Sequence, residues 1–152
     1  MAVLGTRTVG FSVLWWVSWR WAARAFEDAG VADRVEIRRA PGLEELPRLV
    51  DEFGEASFDF IFLDAIKREY PEYFPWCARL LRVGGVLAAD NVLGGGSWWI
   101  DHADDEEGRR NLAGVDRVNR MVAGDERFHA AAVPIREGVL IARKARDRGA
   151  PR

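Results

Sequence analysis

Three oxygen-bearing side chains, Asp64, Asp90 and Asn91, and one lysine, Lys67, stand where this chain could do chemistry. Asp64 follows the apolar run Phe58–Leu63, and Asp90-Asn91 follows the apolar run Val86–Ala89. Both runs have strand length, and the segment between them is long enough for the crossover that parallel strands require. In an open α/β sheet, ligands bind beyond the carboxyl ends of the strands. Two carboxylates and one amide carbonyl at that edge form a hard, all-oxygen donor set, suited to Mg2+, Mn2+ or Ca2+ and unsuited to Zn2+. Magnesium keeps positions open for substrate oxygens, so such a site could hold a diol. A cation beside Lys67 would favour the neutral amine, which can act as a base. On spacing alone, a plainer reading is the more common outcome: Asp64 caps a helix, Asp90-Asn91 forms a turn and Lys67 is solvated.

The elements that must position these residues follow from periodicity. Ala2-Val3-Leu4, Gly5-Thr6 and Gly10-Phe11-Ser12 suit a strand, a glycine turn and a helix N-terminus, where backbone N–H groups can approach a ligand; an ordinary loop suits them equally. Phe11–Ala29 reads as a helix that is apolar all round in its first half, so it should be buried, oligomeric or poorly folded. Arg34–Arg38 alternates as a short strand. Leu43, Leu46, Leu49, Val50 and Phe53 share a helical face that Gly54 ends. After Phe58–Leu63 come a helix over Pro71–Leu81, a turn at Val83-Gly84-Gly85 and the strand Val86–Ala89. Tyr70 and Tyr73 either line a pocket or pack that helix onto the sheet. The run Gly94–Glu107 should be a long mobile loop, a usual place for substrate contacts. A helix over Arg109–Val122 and the hairpin Phe128–Val133 with Val139–Arg143 complete the domain, followed by a basic, frayed tail from Lys144. The pattern is α/β, a doubly wound, mostly parallel sheet with an antiparallel C-terminal edge strand.

A chain of 152 residues with 49% apolar and 30% charged side chains suits one globular domain. The net charge of −2 points to neither nucleic acid nor an anionic membrane as partner. One cysteine, Cys77, cannot form an internal disulfide, which fits a reducing cytoplasm, and it reads as a small apolar group on a helix. Four of the seven tryptophans crowd Trp15–Trp21, yet the apolar run there is too short to span a bilayer and carries Arg20.

The stretch Phe58–Tyr73, with its Asp64-Ala65-Ile66-Lys67 motif, and the stretch Leu80–Leu93, with Asp90-Asn91, resemble the cation-dependent O-methyltransferases, among them the caffeoyl-CoA and catechol O-methyltransferases. Ala29–Glu36, Leu43–Leu49, Val118-Asn119-Arg120 and Val133–Lys144 extend the likeness over most of the chain after Ala29. The resemblance reverses the plainer reading above. It implies a Rossmann-like fold, with Asp64, Asp90 and Asn91 as ligands of Mg2+ (or Mn2+ or Ca2+), Lys67 as general base and Asn119 near the acceptor. Gly5, Thr6, Gly10, Ser12 and Asp64 would lie on the side of the methyl donor, S-adenosylmethionine. The acceptor would be a hydroxylated aromatic with vicinal oxygens, and a homodimer is compatible with the family.

The first third departs from that family. Helices that precede the first strand are absent, so residues 1–144 read as a single domain truncated at its amino-terminal side, with 145–152 as the tail. Val3-Leu4 carries no acid before the glycines, and no second strand ending in a ribose-binding acid follows. Two readings therefore stand: an active methyltransferase, or an impaired remnant serving as a metal-binding or interaction module.

Overall fold

The computed structural model describes residues 2–4, 9–12, 18–147 and 149, with side chains from Arg20 onward. In chain order its elements are β1 (Ala2–Leu4), β2 (Val9–Ser12), α1 (Ser18–Asp28), β3 (Val35–Arg38), α2 (Gly42–Phe53), β4 (Phe58–Leu63), α3 (Tyr70–Leu80), β5 (Leu81–Asp90), the short strands β6 (Gly94–Gly95), β7 (Trp98–Trp99) and β8 (His102–Ala103), α4 (Glu106–Ala123), β9 (Phe128–Val133) and β10 (Val139–Lys144). The main sheet runs β3-β2-β1-β4-β5-β10-β9, and β6-β7-β8 form a small second sheet. β2, β3, β4, β5 and β9 point one way, while β1 and β10 oppose them. The mostly parallel α/β sheet is as expected, except that the antiparallel strand β10 lies inside it and β9 forms the edge.

The sheet is built from the inside out. Ile61 and Leu63 of β4 stand beside Leu87 and Ala89 of β5, which in turn stand beside Ala142 and Leu140 of β10; all six are buried. This row meets α3 and α4, through Tyr70, Tyr73, Phe74, Cys77, Val115, Val118 and Val122. Burying each such aliphatic side chain contributes about 1.5–3 kcal/mol. On the other face, Phe60, Phe62 and Val86 are half-buried and Ile141 is exposed. The tyrosines thus pack α3 onto the sheet. Cys77 is also a packing residue, its thiol pushed up to about 12 by burial.

The front of the chain differs from the expected strand, turn and helix. β1 pairs antiparallel with both β4 and β2, and β2 pairs parallel with β3. Backbone N–H and C=O groups at a sheet need partners, and β2 provides them to a four-residue β3 that would otherwise stand apart. The residues expected to open a helix at Phe11 are therefore strand, and α1 starts at Ser18. Residues 13–17, with Trp15 and Trp16, lie outside the described residues. The apolar first half of the expected helix thus falls on a strand and on residues outside those described; beyond it, Trp21 of α1 is 71% exposed. Between α1 and β3 lies an open cleft of about 240 Å³ lined by Ala23, Phe26, Glu27, Ala32, Val35 and Ile37.

Two other segments are more regular than expected. Val83-Gly84-Gly85 is an irregularity within β5: Phe58 pairs with Leu81, but Phe60 pairs with Val86. Gly84, at φ +87°, takes the left-handed backbone that this bulge requires. The run expected to be a mobile loop folds into β6, β7 and β8, pinned by Trp98 at 4% exposure. Its acidic end starts α4, where the Asp105 side chain accepts from the Gly108 N–H at 2.6 Å. Nor is the start of the tail frayed. Lys144 is buried, and its Nζ donates to the carbonyls of Leu81 (2.8 Å) and Ala78 (3.1 Å) and pairs with Asp147.

Two stability predictions follow from these contacts. Lys144→Ala strands two buried carbonyls and removes a packed stem, so urea denaturation should show a loss of about 2–4 kcal/mol. Asp147→Ala, which removes only an exposed partner, should cost less than about 1 kcal/mol. The second concerns pH. The Gly108 N–H, then the Ser97 hydroxyl, hold the Asp105 carboxyl below its ordinary range. A carboxyl depressed by folding stabilises above its unfolded pKa and loses that contribution as pH falls through the folded value. Asp105→Ala should therefore melt below the parent at pH 7, and the two melting temperatures should converge as the solution is acidified through the carboxylate range.

Candidate active site

The parallel register of β4 and β5 places Leu63 beside Ala89, so Asp64 and Asp90, the next residue on each chain, leave the sheet side by side. Adjacent strands lie about 4.8 Å apart. Tyr70, at the start of α3 and fully buried, fastens these two ends together. Its hydroxyl lies 3.0 Å from the Leu63 carbonyl and 3.2 Å from the Asp90 carbonyl, and shares its one proton between them. The same oxygen accepts from Lys67 Nζ at 2.8 Å. Burial foremost, with the nearby Asp64 and Asp90 charges, holds the phenol well above its ordinary range, so the hydroxyl keeps its proton and stays a donor to the backbone.

Lys67 sits on the 3-10 turn Lys67–Glu69. Its Nζ donates to Asp64 Oδ1 at 2.8 Å as well as to Tyr70. The lysine side chain is 14% exposed and the aspartate 53%, so the amine is sheltered while its acidic partner faces outward. On the other side of the edge, Asn91 turns the chain with φ at +56°, a left-handed conformation that asparagine tolerates better than most residues. The turn is held from two directions. Val92 N–H donates to Gly138 O at 3.1 Å and Leu93 N–H to Glu137 O at 2.9 Å, while Asn119 Nδ2 of α4 donates to Val92 O at 3.0 Å. Asn119 Oδ1 is buried without a hydrogen-bond partner.

The structure therefore brings Asp64, Lys67 and Asp90 to one sheet edge, with Asn91 next in line and Asn119 behind the Asn91 turn. Among the described residues no three His, Cys, Asp or Glu side chains converge on a metal-sized site; the set depends on the Asn91 amide as its third donor. Two carboxylates and an amide fit a hard cation by the chemistry of their oxygens.

The donor side is arranged differently from expectation. Gly5 and Thr6 lie outside the described residues. Gly10 is in mid-strand, paired with Val3 and Glu36, so its backbone serves the sheet ladder and not a ligand turn. Ser12 ends β2 opposite Arg38, at the same edge as Asp64 but not at a helix start. The acids near the end of β3 are engaged: Arg38 binds Glu36 at 2.6 Å, Glu45 at 2.9 Å and Glu52 at 2.8 Å. Sequence reasoning missed both this cluster and the bracing role of the Tyr70 hydroxyl. The spacing Asp64, Lys67, Tyr70 was a signal for the latter, since residues three apart meet on a helical turn.

Comparison with known proteins bears on the family and the fold. A family model described as O-methyltransferase matches residues 19–145. Tricin synthase 2 of Oryza sativa subsp. japonica is 38% identical over 122 residues, 76% of this chain and 41% of that protein. Caffeoyl-CoA O-methyltransferase 1 of Eucalyptus globulus is 33% identical over 122 residues, 78% of this chain and 49% of that protein. An O-methyltransferase from Bacillus cereus, solved in complex with SAH, superimposes with a TM-score of 0.75 at 29% identity, over 89% of this chain and 61% of that one. The chain thus spans about half the length of these curated relatives. The match over residues 19–145 places this chain in the O-methyltransferase family.

Proposed function

We propose that this chain is the catalytic portion of an S-adenosylmethionine-dependent and divalent-metal-dependent O-methyltransferase whose acceptor is a catechol-like aromatic with vicinal hydroxyls. The observation that carries the proposal is the Asp64–Lys67–Tyr70 cluster, with Lys67 Nζ at 2.8 Å from both partners, set beside Asp90 at the carboxyl edge of the sheet. Asp64, Asp90 and Asn91 would hold the cation. When bound, it would supply positive charge that orients neighbouring hydroxyls and weakens their hold on a proton. Lys67, sheltered and held by Tyr70, would take that proton in its neutral form, which the nearby positive charge would favour over its ion pair with Asp64. The acceptor oxygen would then attack the sulfonium methyl, its O–C bond forming as the C–S bond breaks, with the proton left on Lys67 and the thioether released. Positioning and electrostatics would account for most of the rate.

The fold and the relatives' names support this reading, and the SAH in the Bacillus cereus structure supports the donor. One observation favours a second reading, a remnant that binds metal but not the donor: Gly10 and Ser12 belong to a sheet strand, and the acids beside them are bound to Arg38. Calorimetric titration separates the two. The first predicts binding of S-adenosylmethionine and Mg2+-dependent methylation of a catechol; the remnant predicts thermal stabilisation by Mg2+ with no response to S-adenosylmethionine. For an active enzyme, Asp64→Ala and Asp90→Ala should each weaken metal binding and cut turnover at least about a hundredfold. Lys67→Met should retain the metal while lowering turnover by about 10²–10⁴. Metal-independent methylation unaffected by these changes would refute the proposed chemistry.

A further inference from the structure

The two halves of the candidate site are held by one helix. α4 is 18 residues long, capped at its start by Asp105 and buried along Val115, Val118 and Val122. Near its amino-terminal half it touches the lysine turn. A Cβ on Gly114 would lie 2.5 Å from Arg68 Cα and 2.6 Å from the Lys67 carbonyl oxygen, so the helix and the turn meet backbone to backbone. Three residues earlier, Asn111 Oδ1 accepts from the Arg68 N–H at 3.3 Å. Towards its other end, Asn119 Nδ2 donates to Val92 O behind the Asn91 turn. Asn111 and Asn119 are separated by about 12 Å along the axis of an α-helix.

We propose that α4 sets the spacing between the base and the metal-ligand turn, with Gly114 and Asn111 as positioning residues for Lys67 and Asn119 as the positioning residue for Asp90-Asn91. The functional consequence rests on the reading above; the positioning itself does not. Neither Gly114 nor Asn119 touches Lys67 Nζ or a candidate ligand oxygen in any hydrogen bond described here, so each acts through the backbone it holds. Gly114 has no flexible neighbour to move aside, because the atoms in its way are backbone. Any side chain there must displace the lysine turn or α4. Removal of the Asn119 amide leaves the carbonyl between Asn91 and the β6 strand without its donor. Outer residues that orient metal ligands characteristically change metal affinity about 10–100-fold when replaced.

The test uses the full chain with Gly114→Ala, Asn111→Ala, Asn111→Asp and Asn119→Ala, read first by amide hydrogen exchange without metal or substrate. Asn119→Ala should speed exchange at Val92, Leu93 and Gly94 by at least about tenfold and leave Arg68 and Glu69 near the parent rate. Gly114→Ala should do the reverse. If it does not fold, Asn111→Ala should show the same local effect, with Asn111→Asp restoring protection because it keeps an acceptor for the Arg68 N–H. Uniform acceleration over the whole chain, or no local change, would overturn the assignment. Binding of Mn2+ and turnover form the second readout. Asn119→Ala should weaken Mn2+ binding about tenfold or more, whereas Gly114→Ala should lower kcat with little change in KM for the acceptor. A parent protein that binds no Mn2+ and transfers no methyl refutes the proposed function while the exchange result still decides the positioning; a parent that does both, with variants indistinguishable from it, overturns the positioning.

Discussion

A single buried hydroxyl organises the chemistry of this chain. The oxygen of Tyr70 lies within hydrogen-bond reach of the carbonyls that end two neighbouring strands and of the amine of Lys67. An unpaired phenol at zero exposure would cost a few kcal/mol, and these three groups supply its partners. That requirement couples fold to function. β4 and β5 must be in register for their carbonyls to converge, α3 must begin at Tyr70 for the hydroxyl to reach them, and the turn must bring Lys67 back over the ring. Its Nζ lies 5.0 Å from the Tyr70 ring centroid, close enough for a further cation–π attraction.

The same edge of the sheet shows how backbone demand and side-chain demand can part company. β2 stands between β1 and β3 and satisfies the ladder, but it ends in Ser12 and carries no acid at that end. Pairing needs only amides and carbonyls of suitable register, which many sequences provide. A polar ligand needs a particular side chain at a particular end. β4 and β5 pair in register and are each followed or ended by an acid at that edge, Asp64 and Asp90, whereas β2 meets the pairing requirement alone.

What could be read from the sequence follows the same division. That Asp64, Asp90 and Asn91 lie at the sheet edge was legible from the apolar runs they follow, but spacing alone favoured a cap, a turn and a solvated Lys67; only the family resemblance pointed to a shared site. The core helices were legible through Leu46, Leu49, Val50 and through Val115, Val118 and Val122, which repeat at helical spacing. The orientation of β1 was not, since three apolar residues suit either direction and the choice is made by partners far along the chain. Nor was the order in Gly94–Glu107, whose glycines and acids suggest a loop but whose Trp98 is buried by contacts distant in sequence. The charge of Lys144 suggests solvent; the carbonyls of Ala78 and Leu81, with the carboxylate of Asp147, make its burial tolerable.

The placement of β10 within the sheet bears on how the molecule is completed. Among the described residues it is the last strand in sequence, yet it lies between β5 and β9, both made before it. During synthesis β9 has no neighbour to pair with until β10 emerges, and β5 keeps one open side for the same interval. The exposed ladder edges of such a state are templates for association with other chains. β10 is thus a keystone laid from outside: without Val139–Lys144 the sheet would stop at β5, and β9 would have no strand to pair with.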